Sequence, residues 1–214
     1  RRSSGAAVEA VDRVMAGDAT NAFCAVRPPG HHAESSRAMG FCLFNGAAIA
    51  AFHGRSAHKL DRVAVIDFDV HHGNGTQHSF EGEPNLFYGS SPQWPAYPGT
   101  GQVNETGCAD NIWNVPLPPG SGSAMFRRGY EKSILPALRD FAPELLIISA
   151  GFDAHALDPL AQLELQTDDF RWVTEQLLDV ASECCDGRVV SLLEGGYDLQ
   201  ALRESVQVHV RELM

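Results

Sequence analysis

The chain is short of positive charge. It sets 16 Lys and Arg against 27 Asp and Glu, a formal net charge of −11 over 214 residues, and the imbalance grows from 8 basic and 10 acidic residues in 1–107 to 8 and 17 in 108–214. No basic stripe is left to follow a nucleic-acid backbone or an anionic membrane, so direct nucleic-acid binding is excluded and cationic ligands are favoured. Long apolar runs are missing too: stretches such as Leu145–Ala150 fall far short of the roughly 18 residues a membrane span needs. The opening RRSSGAAVEAVDRVMAG has two arginines but no continuous apolar segment, and its Val8, Val11 and Met15 are spaced for an amphipathic helix, not a signal peptide. Five cysteines (Cys24, Cys42, Cys108, Cys184, Cys185) form no CxxC pair and are odd in number, which predicts reduced thiols and a cytoplasmic location. No GxSxG elbow is present, which disfavours a serine hydrolase. With no repeat and no Pro/Gly/Ser linker, residues 1–214 read as one domain.

What is present is an alternation of β-rich apolar runs and helical patterns. Strands are predicted over Ala22–Val26, Arg62–Phe68, Asn85–Tyr88, Asn111–Val115, Glu144–Ser149 and Arg188–Leu193. Helices are predicted over Ser4–Ala16, Asn45–Ala57, Ser123–Phe141, Thr167–Cys185 and Leu199–Leu213, with Thr167 and Asp198 as N-caps. VAVIDF and LLIIS are nearly unbroken aliphatic runs, as in strands covered on both faces. The pattern predicts an α/β fold with a mostly parallel sheet. The Pro/Gly-rich stretch 90–122 reads as a functional loop.

Ligands of open parallel sheets bind beyond the carboxyl ends of the strands. Four of the predicted strands run directly into polar clusters: RPPGHH, DVHHGNG, AGFDAH and EGGYD. Alternation along an extended chain would set Asp67, Asp69 and His71 on one side. Two carboxylates buried together call for a compensating cation, and with Asp153 from another strand end the set suits a catalytic zinc with an open position. His31-His32, after the stiff Pro28-Pro29-Gly30, suit proton transfer. Gly195-Gly196 would bring the hydroxyl of Tyr197 to the same mouth as an oxyanion donor.

RPPGHHAESSRAMGFCLFN, VIDFDVHHGNGTQHSF, YPGTG, SAGFDAHALDPL and LEGGYDL, in that order, resemble the zinc-dependent histone deacetylase family, including its bacterial acetylpolyamine amidohydrolase and acetoin-utilisation-type members. Asn74 and the Glu-Gly-Gly-Tyr form are similar to the class II branch. The resemblance implies a three-layer, arginase/deacetylase-like sandwich and hydrolysis of acetylated lysines or acetylated amines such as polyamines. It implies one zinc on Asp69, His71 and Asp153, His32 as general base and then acid, and His31 as its electrostatic partner. By the same resemblance Asp67 and Asn74 would orient His31 and His32, and Tyr197 would polarise the acyl carbonyl. Gly40, Phe41, Tyr97 and Leu160, with Gly195 and Gly196, would contact the substrate. A structural K+ would rest on backbone oxygens of Asp67, Asp69 and His71 with Ser90 and Ser91. Homo-oligomers fit the resemblance as well. Family members carry a further segment ahead of the first helix, so the expectation is an N-terminally incomplete catalytic domain.

Two rivals stand beside this reading. A binuclear manganese ureohydrolase would need a second carboxylate where this chain has His155; a non-catalytic acyl-lysine or polyamine binder would retain the pocket without turnover.

Overall fold

The computed structural model describes all residues 1–214. Its six strands are β1 (Asn21–Cys24), β2 (Val63–Asp67), β3 (Leu86–Ser90), β4 (Ile112–Asn114), β5 (Leu145–Ala150) and β6 (Val189–Leu193). They form one sheet in the order β1-β6-β5-β2-β3-β4, and every pairing is parallel, so the expected mostly parallel sheet is wholly so. β2 and β5, in mid-sheet, are buried at every residue. Their alternating side chains feed two cores. Val63, Val65, Leu145 and Ile147 face α1 (Arg2–Met15), α2 (Gly46–His58) and α3 (Asn74–Phe80). Ala64, Ile66, Leu146 and Ile148 face α4 (Ser123–Gly129), α5 (Leu135–Phe141), α6 (Thr167–Cys185) and α7 (Leu199–Leu213). Each fully buried aliphatic side chain contributes about 1.5–3 kcal/mol, so the aliphatic strands specify the three layers directly. No helix is long and apolar enough to cross a membrane.

Local departures from the sequence reading have physical causes. The helix expected over Ser123–Phe141 is interrupted at Tyr130–Ile134 by a π-helical turn. Pro136 has no N–H to donate and its ring crowds the carbonyl four residues back, so the helix widens just before it and Leu135 N–H reaches Tyr130 O. The N-cap of α6 is Gln166 and not Thr167, because the Asp169 carboxylate reaches back to the Gln166 N–H in a capping box. Asp198 caps α7, accepting from Ala201 N–H at 2.8 Å. α3 lies outside the predicted helices; its seven residues are too few for a periodic signal.

One buried histidine ties three elements together. His209 of α7 hydrogen-bonds Thr174 Oγ1 of α6 at 2.7 Å and Ser191 Oγ of β6 at 2.8 Å, among the rings of Phe23, Phe68 and Phe152. Burial lowers its pKa from 6.5 to about 3. The unfolded chain therefore takes up a proton below pH 6.5 that the fold refuses. Its contribution is intact above pH 6.5 and shrinks by about 1.4 kcal/mol per unit as pH falls towards 3. Urea denaturation should find His209→Gln less stable than wild type at pH 7.5, yet losing about 2 kcal/mol less between pH 7.5 and 5; equal losses would show that His209 is not held neutral.

Candidate active site

The carboxyl ends of β1, β2, β5 and β6 converge on one polar pocket. After Cys24 the chain passes through Pro28-Pro29 to His31 and His32, both buried. His31 Nδ1–H donates to Asp67 Oδ2 at 2.9 Å, and His31 Nε2 lies 3.9 Å from Asp69 Oδ1. His32 Nδ1–H donates to Asn74 Oδ1, also at 2.9 Å. The Asn74 amide is itself fixed by donating to Glu34 Oε1 at 2.8 Å.

Asp69, His71 and Asp153 place one ligand-type atom each within 4.8 Å of one another. His71 Nδ1 is 3.2 Å from Asp69 Oδ1 and 3.0 Å from Asp153 Oδ2. Asp67 stands outside this trio. β2 ends at Asp67 and the backbone turns, Asp69 N–H donating to Asp67 Oδ1, so a turn and not strand alternation delivers Asp69 and His71. Backbone amides fix the carboxylates: His71 N–H and Gly195 N–H donate to Asp69, and Val70 N–H donates to Asp153.

The charges are uneven. Burial, then the charge of Asp69, pushes Asp153 up to about 7, whereas His31 and His71 outweigh burial and hold Asp69 below the ordinary carboxylate range. Burial opposes protonation of His71, but its bonds to Asp153 and Asp69 raise it to about 10. For His31 burial is likewise overcome, by Asp67, Asp69 and Glu194, and its pKa rises. For His32 burial and the charge of His31 act together and lower it to about 3. Two adjacent imidazoles thus carry opposite electrostatic roles.

The trio fits a divalent metal. Two carboxylates with at most 1% exposure and one imidazole form an N,O donor set of the kind zinc accepts. The surrounding backbone makes a cradle: a Cβ on Gly195 would meet Asp153 Oδ2 at 2.3 Å and one on Gly151 would meet Asp69 Oδ2 at 2.2 Å. His155 points elsewhere, its Nδ1 accepting from Leu157 N–H and its ring stacked on Phe170, and it offers no second metal a ligand.

Above the trio, a cavity of about 380 Å³ is lined by His32, Gly40, Phe41, His71, Tyr97, Leu160 and Tyr197. The Gly40 carbonyl accepts from the Cys42 thiol at 3.2 Å. The Tyr197 ring is 6.2 Å from that of Phe41, and its hydroxyl makes no hydrogen bond within the protein. Burial, then Asp69 and Asp153, raises that phenol and keeps it a proton donor. Gly195 and Gly196 do not line this cavity: Gly195 backs the carboxylates, and Gly196 faces a larger neighbouring cavity beside Arg27 and Leu202. Ser90 pairs with Asp67 in register and donates to Asn114, while Ser91 donates to Tyr130.

Three supporting side chains escaped the sequence reading. Glu194 Oε2 accepts from the N–H groups of Gly30 (2.6 Å) and His31 (3.2 Å), holding the histidine loop. Its place at a strand end was a signal that could have found it. Tyr88 donates to Asp67 Oδ2 at 3.0 Å, but a tyrosine inside a strand reads as core. Asp158 accepts from the N–H groups of Tyr197 and Asp198, an arrangement with no local signature.

The profile of the histone deacetylase domain matches residues 1–213. The chain belongs to the histone deacetylase family. It is 44% identical to "Histone deacetylase 10, chloroplastic" of Oryza sativa subsp. japonica, over 95% of this chain and 48% of that protein. It is 42% identical to the "Histone deacetylase-like amidohydrolase" of Pseudomonas aeruginosa, over 92% of this chain and 53% of that one. The solved structure of the HDA15 HD domain is similar, with a TM-score of 0.93 at 36% identity, covering 99% of this chain and 60% of that one. This deacetylase-family chain therefore spans about half the length of the curated relatives named here.

The cradle makes a prediction. Gly195→Ala forces a methyl group against both carboxylates, so the affinity of the Asp69–His71–Asp153 trio for Zn2+ should fall at least tenfold in equilibrium dialysis while the circular dichroism spectrum stays native. Full zinc occupancy in that variant would show that Asp69 and Asp153 do not share an ion.

Proposed function

We propose that the chain carries the catalytic centre of a zinc-dependent amidohydrolase that removes acetyl groups from lysine side chains or from acetylated amines such as polyamines. The observation that carries this reading is the pair of histidine dyads, His31–Asp67 with a charged imidazole and His32–Asn74 with a neutral one, beside the Asp69–His71–Asp153 trio at the base of one pocket. Zinc on that trio would supply Lewis acidity, polarising an amide carbonyl and making water a better nucleophile.

The chain's own residues perform the remaining steps. His32 donates its Nδ1–H in a hydrogen bond to Asn74 Oδ1, which leaves Nε2 as the acceptor for a proton from the attacking water. Protonated His32 is a strong acid beside charged His31, so it passes the proton on to the leaving nitrogen. Water thus adds to the amide carbon, the C–N bond breaks, and acetate and a free amine result. The Tyr197 hydroxyl, free of partners in the protein, donates to the oxyanion that develops on the substrate, a contribution of about 3 kcal/mol. Asp67 and Glu194 keep His31 charged and in place. Phe41, Tyr97 and Leu160 would flank the methylene stem of the substrate. A potassium ion on backbone oxygens of Asp67, Asp69 and His71, near Ser90 and Ser91, belongs to the same proposal.

The substrate class is read from the pocket and from relatives. One relative, 38% identical over the whole of this chain, is named "Polyamine deacetylase HDAC10" of Mus musculus, and others are named histone deacetylases. The net charge of −11 suits a cationic substrate.

Tyr197→Phe should lower kcat on an acetyl-lysine peptide by about 100-fold with little change in KM. His32→Ala should lower it at least as much, with zinc content unchanged in both variants; undiminished turnover in either would overturn the assignment. Removing zinc with a chelator should abolish activity and one equivalent of Zn2+ should restore it. Parallel kinetics on acetyl-lysine peptides, acetylputrescine and acetylspermidine, with a hydroxamate inhibitor as control, assign the substrate; hydrolysis of none of them by zinc-loaded protein would leave a binding function instead.

A further inference from the structure

A second cluster of ligand-type side chains takes no part in the chemistry above. Asp12 on α1, with His53 and His58 on α2, brings one carboxylate oxygen and two imidazole nitrogens within 4.8 Å of one another. Both rings aim the same atom, Nε2, at the same oxygen, Asp12 Oδ1, and each lies 2.6 Å from it. Asp12 Oδ2 makes no hydrogen bond within the protein. The neighbouring cations are engaged elsewhere: Arg13 pairs with Glu9 and Asp18, and Arg55 with Glu83. His58 ends α2, where the negative end of the helix dipole favours a cation. It lies about 18 Å along the helix axis from the end that faces His31, so the cluster is remote from the active-site pocket.

We propose that Asp12, His53 and His58 form a second divalent transition-metal site, which clamps α1 to α2 with water completing the coordination. Two imidazoles and one carboxylate suit Zn2+ and similar borderline ions, and disfavour Mg2+ and Ca2+, which take oxygen donors. Tetrahedral zinc ligands stand about 3.3 Å apart, and each histidine need move only about 0.7 Å from Asp12 Oδ1 to reach that spacing. Side-chain exposures of 24%, 25% and 46% for His53, His58 and Asp12 give them that room and give the ion a path from solvent. The same atoms could satisfy each other as a hydrogen-bonded bridge alone, and the experiment separates the two.

Equilibrium dialysis of the untagged whole chain against micromolar Zn2+, with metal counted by mass spectrometry, should give two ions per chain. One ion should be lost in His53→Gln and in His58→Gln, and a different one in Asp69→Asn. Asp12→Asn, which keeps the size of the side chain, should weaken the second ion at least tenfold. The second equivalent should also raise the Tm of wild type and not that of His58→Gln, with acetyl-lysine turnover of one-zinc protein equal in both. One ion per chain in wild type, removed by Asp69→Asn, would overturn the proposal and reduce the cluster to a hydrogen-bonded bridge. Two ions in the His53→Gln/His58→Gln double variant would overturn it as well. One ion per chain in wild type, lost in His58→Gln and kept in Asp69→Asn, would strike at the deacetylase reading and leave this one standing.

Discussion

Four carboxylates, those of Asp67, Asp69, Asp153 and Glu194, are buried to 8% exposure or less at one end of an otherwise aliphatic sheet, and the loops around them are shaped by the need to compensate that charge. An unpaired buried carboxylate costs several kcal/mol, so every one of these has partners. His31 lies between Asp67 and Asp69; Tyr88 donates to Asp67; the backbone N–H groups of Gly30, Val70, His71 and Gly195 donate to the others. These bonds join the segments that follow β1, β2, β5 and β6, so one electrostatic requirement organises four otherwise separate loops.

The same requirement divides the histidine pair. His31 faces three carboxylates and holds its proton, while His32, one residue on, faces an amide and the charge of His31 and stays neutral. That asymmetry suits proton transfer, and it arises from the different partners of two buried rings. The rim is built on the opposite principle: Phe41, Tyr97 and Leu160 stay partly exposed because they line a cavity instead of filling the core.

Legibility from sequence followed the range of the forces involved. VAVIDF and LLIIS announce strands covered on both faces because burial on two sides leaves no polar positions, and β2 and β5 lie at the centre of the sheet. Polar clusters placed at four strand ends revealed where the pocket would form. The π-helical turn before Pro136, the Gln166 cap and short α3 depend on local hydrogen-bond geometry that periodicity does not record. Tyr88 and Asp158 were invisible because their partners, Asp67 and Tyr197, are 21 and 39 residues away.

By itself the sequence determined the α/β class, the two-faced burial of the strands, the family, and the residue types at the strand ends. These rest on local composition and on motifs whose order the chain preserves. Tertiary structure alone decided that Glu194 holds the His31 loop, that Gly195 and Gly151 wall the carboxylates, and that Asp12 meets His53 and His58. Each of those is a contact between segments distant in the chain, and only the packing of helices against the sheet brings such segments within hydrogen-bonding reach.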